Sequence, residues 1–137
     1  MLDLTSDFGK HVAHRLENET VAWLTTTGRN LVPQPRPIWF YWNGETMLIY
    51  TDPSGAKVRH IRQYPDVALH FNTNVQGRDV VVIHGKATLP DSISDEVHAG
   101  YNEKYGEMLK QAGISVDKRQ HAPGGSIVIT PTSVRGF

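Results

Sequence analysis

The run Ser54-Gly55-Ala56-Lys57-Val58-Arg59-His60-Ile61-Arg62 places cations where a helix ordinarily disfavours them. A helix start presents free N–H groups and a partial positive charge. Lys57 and Arg59 in such a first turn, with Arg62 one turn further on, therefore call for an anion. A phosphate seated at Ser54-Gly55, held by backbone amides and by Lys57, meets that requirement. A solvated basic helix face is the competing reading, since a charged stripe needs no ligand.

Other chemistries have less to work with. The chain has no cysteine, which removes disulfides, thiolate nucleophiles and thiolate-bound metal clusters. Of the seven histidines, His11 and His14 lie on a predicted helix without the glutamate of a zinc-protease pattern; the rest are scattered, so no metal site is expected. His60 reads as part of the basic helix, and His70 and His84 read as sheet residues. Gly124-Gly125-Ser126 opens a strand rather than a helix, which leaves no nucleophile elbow. Phosphate-loop and dinucleotide fingerprints are absent as well.

With 137 residues, the chain reads as a single domain over 1–137 with little apolar surface to spare for a second core. Hydrophobic residues at 39% and charged residues at 20% describe an ordinary globular composition. A formal net charge of zero gives no electrostatic case for nucleic acid or an anionic membrane. The first residues lack a basic leader and no apolar run reaches the length of a membrane span, so a cytoplasmic protein is expected.

The elements that must position Lys57 can be read from periodicity. Phe8, Val12, Ala13 and Leu16 predict an amphipathic helix over about 7–18. A strand over 21–27 ends at Gly28-Arg29-Asn30, and a long second strand begins near Leu31. Pro33, Pro35 and Pro37 place its first half at an edge or bulge. Asn43-Gly44 predicts a two-residue hairpin turn into Met47–Thr51, which delivers the chain to the basic helix. Further strands are expected at 67–71 and 79–89, the latter buried on both faces at first, with a bulge or close approach at Gly85. A helix from Pro90-Asp91-Ser92 to about Gln111, a mobile polar loop at 113–124, and a C-terminal strand bent at Pro131 complete the chain. About six strands in hairpins, with few peripheral helices, make the fold class mainly β, a small antiparallel barrel.

Several pieces taken in order resemble a known superfamily. They are Gly28-Arg29, Pro37-Ile38-Trp39-Phe40, Leu48-Ile49-Tyr50-Thr51, Ala56–Arg62 with Pro65-Asp66-Val67-Ala68-Leu69, and Gly85-Lys86-Ala87. Together they resemble the pyridoxamine 5'-phosphate oxidase-like proteins over nearly the whole chain. The resemblance implies a split β-barrel, a homodimer, and flavin or deazaflavin cofactors in grooves between subunits. It is greatest to the small deazaflavin-dependent branch, which implies an oxidoreductase using coenzyme F-420 for hydride transfer with a small unsaturated or quinone-like substrate. Ala56 stands where the true oxidases commonly carry an arginine, and the extended C-terminal substrate segment of those oxidases has no counterpart. Both departures speak against pyridoxamine phosphate oxidation and leave FMN as the alternative cofactor.

Carried over residue by residue, the resemblance implies that the backbone around Pro37, Ile38, Trp39 and Phe40 borders the ring and that Tyr50 and Thr51 line the groove. Lys57 is then the phosphate ligand, with Arg59 and Arg62 as further cations. Arg78, Asp79 and Val80 are the residues expected to reach the groove from a partner subunit. No general acid or base stands out, as expected where a cofactor carries the reactive hydride. A cofactor-binding protein without turnover is the reading from another class.

Overall fold

In a computed structural model, which describes residues 2–137, the strand-forming runs pair into one antiparallel sheet of seven strands. In chain order the elements are α1 (Asp7–Asn18), β1 (Ala22–Thr27), β2 (Pro33–Ile38), β3 (Tyr41–Trp42), β4 (Met47–Tyr50), α2 (Ala56–Gln63), β5 (Asp66–His70), β6 (Val81–Thr88), α3 (Asp95–Ala112) and β7 (Ser126–Gly136). The strand order is β2-β1-β5-β6-β7-β4-β3. β2 and β3 thus lie at opposite ends of the sheet while being separated in sequence only by Trp39-Phe40. The sheet curls so that one stretch of chain serves both ends, which is the split β-barrel expected from the sequence. The expected long second strand is broken at this point, and the break accounts for seven strands where six were read.

Inside the curl, Leu24, Phe40, Ile49, Leu69, Ile83, Ile127 and Ile129 form the core with Val12 and Leu16 of α1. α1 matches its expected span, with Ser6 Oγ accepting the Gly9 N–H at its start. A second cluster lies outside the barrel wall, where Tyr101, Tyr105 and Leu109 of α3 pack on Leu48 and Tyr50 of β4. Alternation along β4 therefore splits its side chains between two cores: Met47 and Ile49 inward, Leu48 and Tyr50 toward α3.

The proline strand is at the sheet edge, as its missing donors require. β2 pairs only with β1, with Pro33, Pro35 and Pro37 opposite Thr27, Thr25 and Trp23. Gln34, Arg36 and Ile38 alternate with them and share the face of Thr26, Leu24 and Ala22.

Other expectations need correction. The hairpin turn is centred on Gly44-Glu45, one residue later than read, with the Asn43 N–H donating to the Thr46 carbonyl at 3.2 Å. Gly44 alone has the positive φ, at 97°, while Asn43 Oδ1 accepts the Glu45 and Thr46 N–H groups. β6 is buried on one face only, because its residues alternate between covered and open positions; it starts at Val81 because Asp79 takes a left-handed φ of 61°. α3 begins at Asp95, capped by Ser94 Oγ, since Pro90–Ser92 run as coil. The segment 113–124 is anchored rather than loose. Val116 and Gln120 are buried, and the Gln120 amide donates to the Ile93 carbonyl and Asp95 Oδ1 at 2.9 and 2.8 Å.

Gly85 satisfies both expectations placed on it. The β6–β7 register shifts at His84/Gly85, and a Cβ on Gly85 would stand 2.8 Å from the Thr130 carbonyl oxygen.

Candidate functional site

α2 is an eight-residue helix whose buried residues, Val58 and Ile61, define the face that seats it. At 100° per residue, Lys57 and His60 flank that face toward β1 and β2, whereas Arg59 and Arg62 turn to solvent. Gly55 caps the helix without a side-chain bond, so its first-turn N–H groups keep their capacity for an anion. Asp52 stands at the same turn, where its Oδ1 accepts the Ser54 N–H and hydroxyl at 3.0 and 2.8 Å; those bonds hold its carboxyl below the usual carboxylate range.

Two adjoining compartments share Lys57. The first, about 240 Å³, is lined by Thr26, Gln34, Arg36, Thr51, Asp52 and the start of α2 as far as His60. Arg36 and Lys57 are the cations facing it, and among the described residues neither meets a carboxylate within ion-pair distance. Burial first, and then the Arg36 guanidinium, hold the Lys57 ammonium below the ordinary lysine range. These two like charges, which have no ion-pair partner among the described residues, can hold a phosphate although the Asp52 carboxylate is on the same lining. His60 is fixed behind them, its Nδ1 2.9 Å from the Thr26 hydroxyl. Gly28 leaves the room this needs: a Cβ there would stand 3.1 Å from His60 Nε2.

The second compartment, about 280 Å³, is lined by Pro37, Ile38, Trp39, Tyr50, Tyr101, Val116 and Arg119 together with Lys57. Its wall is aromatic and fixed. Trp39 stacks on Tyr105 with centroids 5.0 Å apart and planes 3° from parallel, and Tyr101 meets Tyr50 edge-on at 4.9 Å. Directly opposite Tyr50 in the β4–β7 ladder, Ser126 Oγ is buried without a protein partner. A planar ring beside this wall with a phosphate at Lys57 satisfies both compartments.

Of the residues named from the sequence, Pro37, Ile38, Trp39, Tyr50, Thr51 and Lys57 come together here. Phe40 does not border the groove. Its ring is in the barrel core, its N–H donates to the Tyr105 hydroxyl at 2.8 Å, and its carbonyl accepts the Lys104 ammonium at 2.8 Å. Arg59 is turned back to the Ser54 carbonyl at 2.9 Å, and Arg62 is exposed outside both compartments. Arg78, Asp79 and Val80 line a separate cavity of about 590 Å³ with Phe8, His11 and Phe137, which shares no residue with the groove. Asp79 is fixed there by His11 Nε2 at 2.6 Å and by Arg15 at 2.9 Å.

Arg36, Gln34, Thr26 and Arg119 were not singled out from the sequence. A signal for the first two existed: Gln34, Arg36 and Ile38 are the non-proline positions of an alternating strand, so a cation and an amide had to share a face with Ile38. Arg119 had none, since its place depends on how the segment after α3 folds back. Among the described residues no cluster of three metal-ligating side chains occurs, and no helix is long and apolar enough to cross a membrane.

Comparison with known proteins agrees with the geometry. A structure described as a pyridoxamine 5'-phosphate oxidase from Listeria innocua is similar at 20% identity and a TM-score of 0.65, over 92% of this chain and 94% of that one. An F420 reductase is similar at 20% identity and a TM-score of 0.59, over 89% and 94%. HutZ, the heme storage protein of Vibrio cholerae, shares the fold at 12% identity and a TM-score of 0.68, over 93% and 92%. No curated protein matches the sequence. At these identities the structures speak for the fold, whereas the family model for pyridoxamine 5'-phosphate oxidase matches residues 8–137 directly. On that match, spanning nearly its whole length, the chain belongs to the pyridoxamine 5'-phosphate oxidase family.

Proposed function

We propose that this chain is an oxidoreductase that holds the deazaflavin coenzyme F-420 in the two compartments joined at Lys57 and uses it on a small unsaturated or quinone-like acceptor. The observation that carries this reading is the position of Lys57 between an aromatic-walled groove and a cationic pocket. When bound, the reduced deazaflavin supplies the hydride. The chain's own work is to bind and to orient. Lys57, Arg36 and the first-turn amides of α2 hold the phosphate; Ile38, Trp39, Tyr50 and Tyr101 wall the ring and exclude water. FMN satisfies the same ring and phosphate contacts and is the alternative. The deazaflavin is favoured because its tail adds carboxylates beyond the phosphate, and α2 continues outward with Arg59 and Arg62.

A second copy of the chain completes the site in this proposal. Trp23, His70 and Val82 form one cross-strand row on the sheet, half-buried in the single chain, with Trp23 and His70 stacked at 6.2 Å. Pairing of such faces brings Arg78, Asp79 and Val80 of one protomer to the groove of the other. The test is reoxidation of reduced F-420, generated by a separate dehydrogenase, with a panel of quinone and enone acceptors. Protein-dependent reoxidation at equal aerobic and anaerobic rates is expected. Tight FMN binding with oxygen-dependent turnover would replace the deazaflavin reading, and tight binding without turnover of either would mark a storage protein.

A further inference from the structure

One polar chain runs from the wall of the aromatic compartment to solvent. Tyr50 Oη lies 2.6 Å from His98 Nδ1 on α3, and His98 Nε2 lies 2.8 Å from Asp117 Oδ1. The Asn102 amide stands 3.0 Å from the same Nε2. The His98 side chain is 12% exposed and that of Asp117 is 74% exposed, so a buried phenol connects to water through a single imidazole. The other titratable or charged groups on this groove are Tyr101 of α3, Arg119 of the short 3-10 turn Asp117–Arg119 and Lys57 of α2.

The partners of His98 decide which state leaves Tyr50 free to act. Asp117 accepts only, so Nε2 donates its proton to it, and the Asn102 amide N–H turns to the same carboxylate rather than to Nε2. With His98 neutral, Nδ1 is then an acceptor and the Tyr50 proton points at it. With His98 as an imidazolium, Nδ1–H donates to Tyr50 Oη and the phenolic proton is free for another acceptor. The hydrogen bond from His98 also holds the Asp117 carboxyl below the usual range.

We propose that Tyr50 is the proton donor to the acceptor and that His98 and Asp117 are the positioning residues that make it one. This rests on the function proposed above, with a reduced deazaflavin or flavin as the hydride source. An acceptor that gains a hydride at carbon displaces an electron pair onto its oxygen. That oxygen bonds the Tyr50 proton as the phenolic O–H breaks, and the Tyr50 oxygen takes the Nδ1 proton of His98. One proton from solvent restores the imidazolium after product leaves. Burial, and to a smaller degree Tyr101 and Asp117, make the Tyr50 phenol a weaker acid than usual, so without the imidazolium the transfer would be slow.

The experiment uses the full chain as Tyr50→Phe and Asp117→Asn. In cofactor-free protein, nitrogen NMR of the His98 ring should show Nε2 protonated and Nδ1 accepting the Tyr50 hydroxyl, and that tautomer preference should be lost in Asp117→Asn. In single turnovers with reduced F-420 and an active acceptor, Tyr50→Phe should lose roughly a hundredfold in rate, the general-acid range, while the cofactor Kd stays within about twofold. Asp117→Asn should slow the same single turnover while the cofactor Kd again stays within about twofold. A Tyr50→Phe rate equal to wild type, or an Asp117→Asn rate equal to wild type, overturns the assignment. Because Asp117 is exposed, the second variant decides the matter should the first fail to fold. Failure of wild type to bind either cofactor refutes the parent reading, and the donor role falls with it. Binding and turnover by wild type with no effect of the substitutions refutes the donor role alone.

Discussion

Lys57 is a cation that the unliganded fold disfavours. Its depressed pKa means that the unfolded chain binds its proton more tightly than the folded chain does. Stability therefore rises with pH between the folded pKa and the ordinary value of 10.5, and the cost of the charge is present in full at neutral pH. Lys57→Met should accordingly leave the Tm of the ligand-free protein unchanged or higher at pH 7, as calorimetry would show; a large fall would mean that Lys57 has a structural partner. Lys104 follows the same sign more strongly. Burial pushes it down to about 8, against a small upward pull from Glu19, while its ammonium sits 3.8 Å from the centre of the Phe40 ring. The wild type should gain stability relative to Lys104→Met as pH rises from about 8 to 10, read as a shift of the difference in denaturation midpoint toward the wild type. At this scale the sequence was informative where a residue broke a local rule. Lys57 was visible because a cation at a helix start is out of place. Arg36 and His98 looked ordinary: each acquires its meaning from a partner distant in sequence, Lys57 for the first and Tyr50 with Asp117 for the second.

The elements were legible wherever one period governed them. α1 and α2 follow from helical spacing, and the alternating prolines put β2 at the edge. Where two influences competed, reading from sequence failed. The Asn43-Gly44 pair looked like the centre of a turn, but Asn43 is used through its side chain and the centre moved on by one residue. Pro90 and Ser92 looked like a helix start, but Ser94 is the cap. The break between β2 and β3 is a consequence of closing the barrel, with no local sign beyond the run of aromatics. That junction is held by Tyr105, whose hydroxyl accepts the Phe40 N–H and lies 2.8 Å from the carbonyls of both Thr20 and Phe40. Tyr105→Phe should cost about 1–3 kcal/mol in chemical denaturation by leaving a buried donor unsatisfied. A cost below about 0.5 kcal/mol would show that the junction holds without it.

At the scale of the molecule, the barrel supplies a rigid wall and α2 and α3 make a groove of it. The seven-stranded curl leaves a row, Trp23, His70 and Val82, half-covered, and the cavity at Arg78–Val80 shares no residue with the groove of its own chain. Light scattering should therefore give a dimer at micromolar concentration, and Trp23→Glu should shift it toward monomer with weaker cofactor binding. Full cofactor affinity in a stable monomer would refute a shared groove. The barrel and the family were both readable from the order of motifs along the chain. The second compartment was only half readable, because α3 and the segment after it form its far wall through tertiary packing alone.

The most direct measurement is an equilibrium titration of the purified protein with F-420 and with FMN, on wild type and on Lys57→Ala. Wild type should bind the deazaflavin more tightly than FMN. Lys57→Ala should lose about 1.5–3 kcal/mol of that binding, the range for a charge-assisted hydrogen bond, with its thermal transition intact. An unchanged dissociation constant in a folded Lys57→Ala protein would place the phosphate elsewhere and reduce the basic start of α2 to a solvated surface.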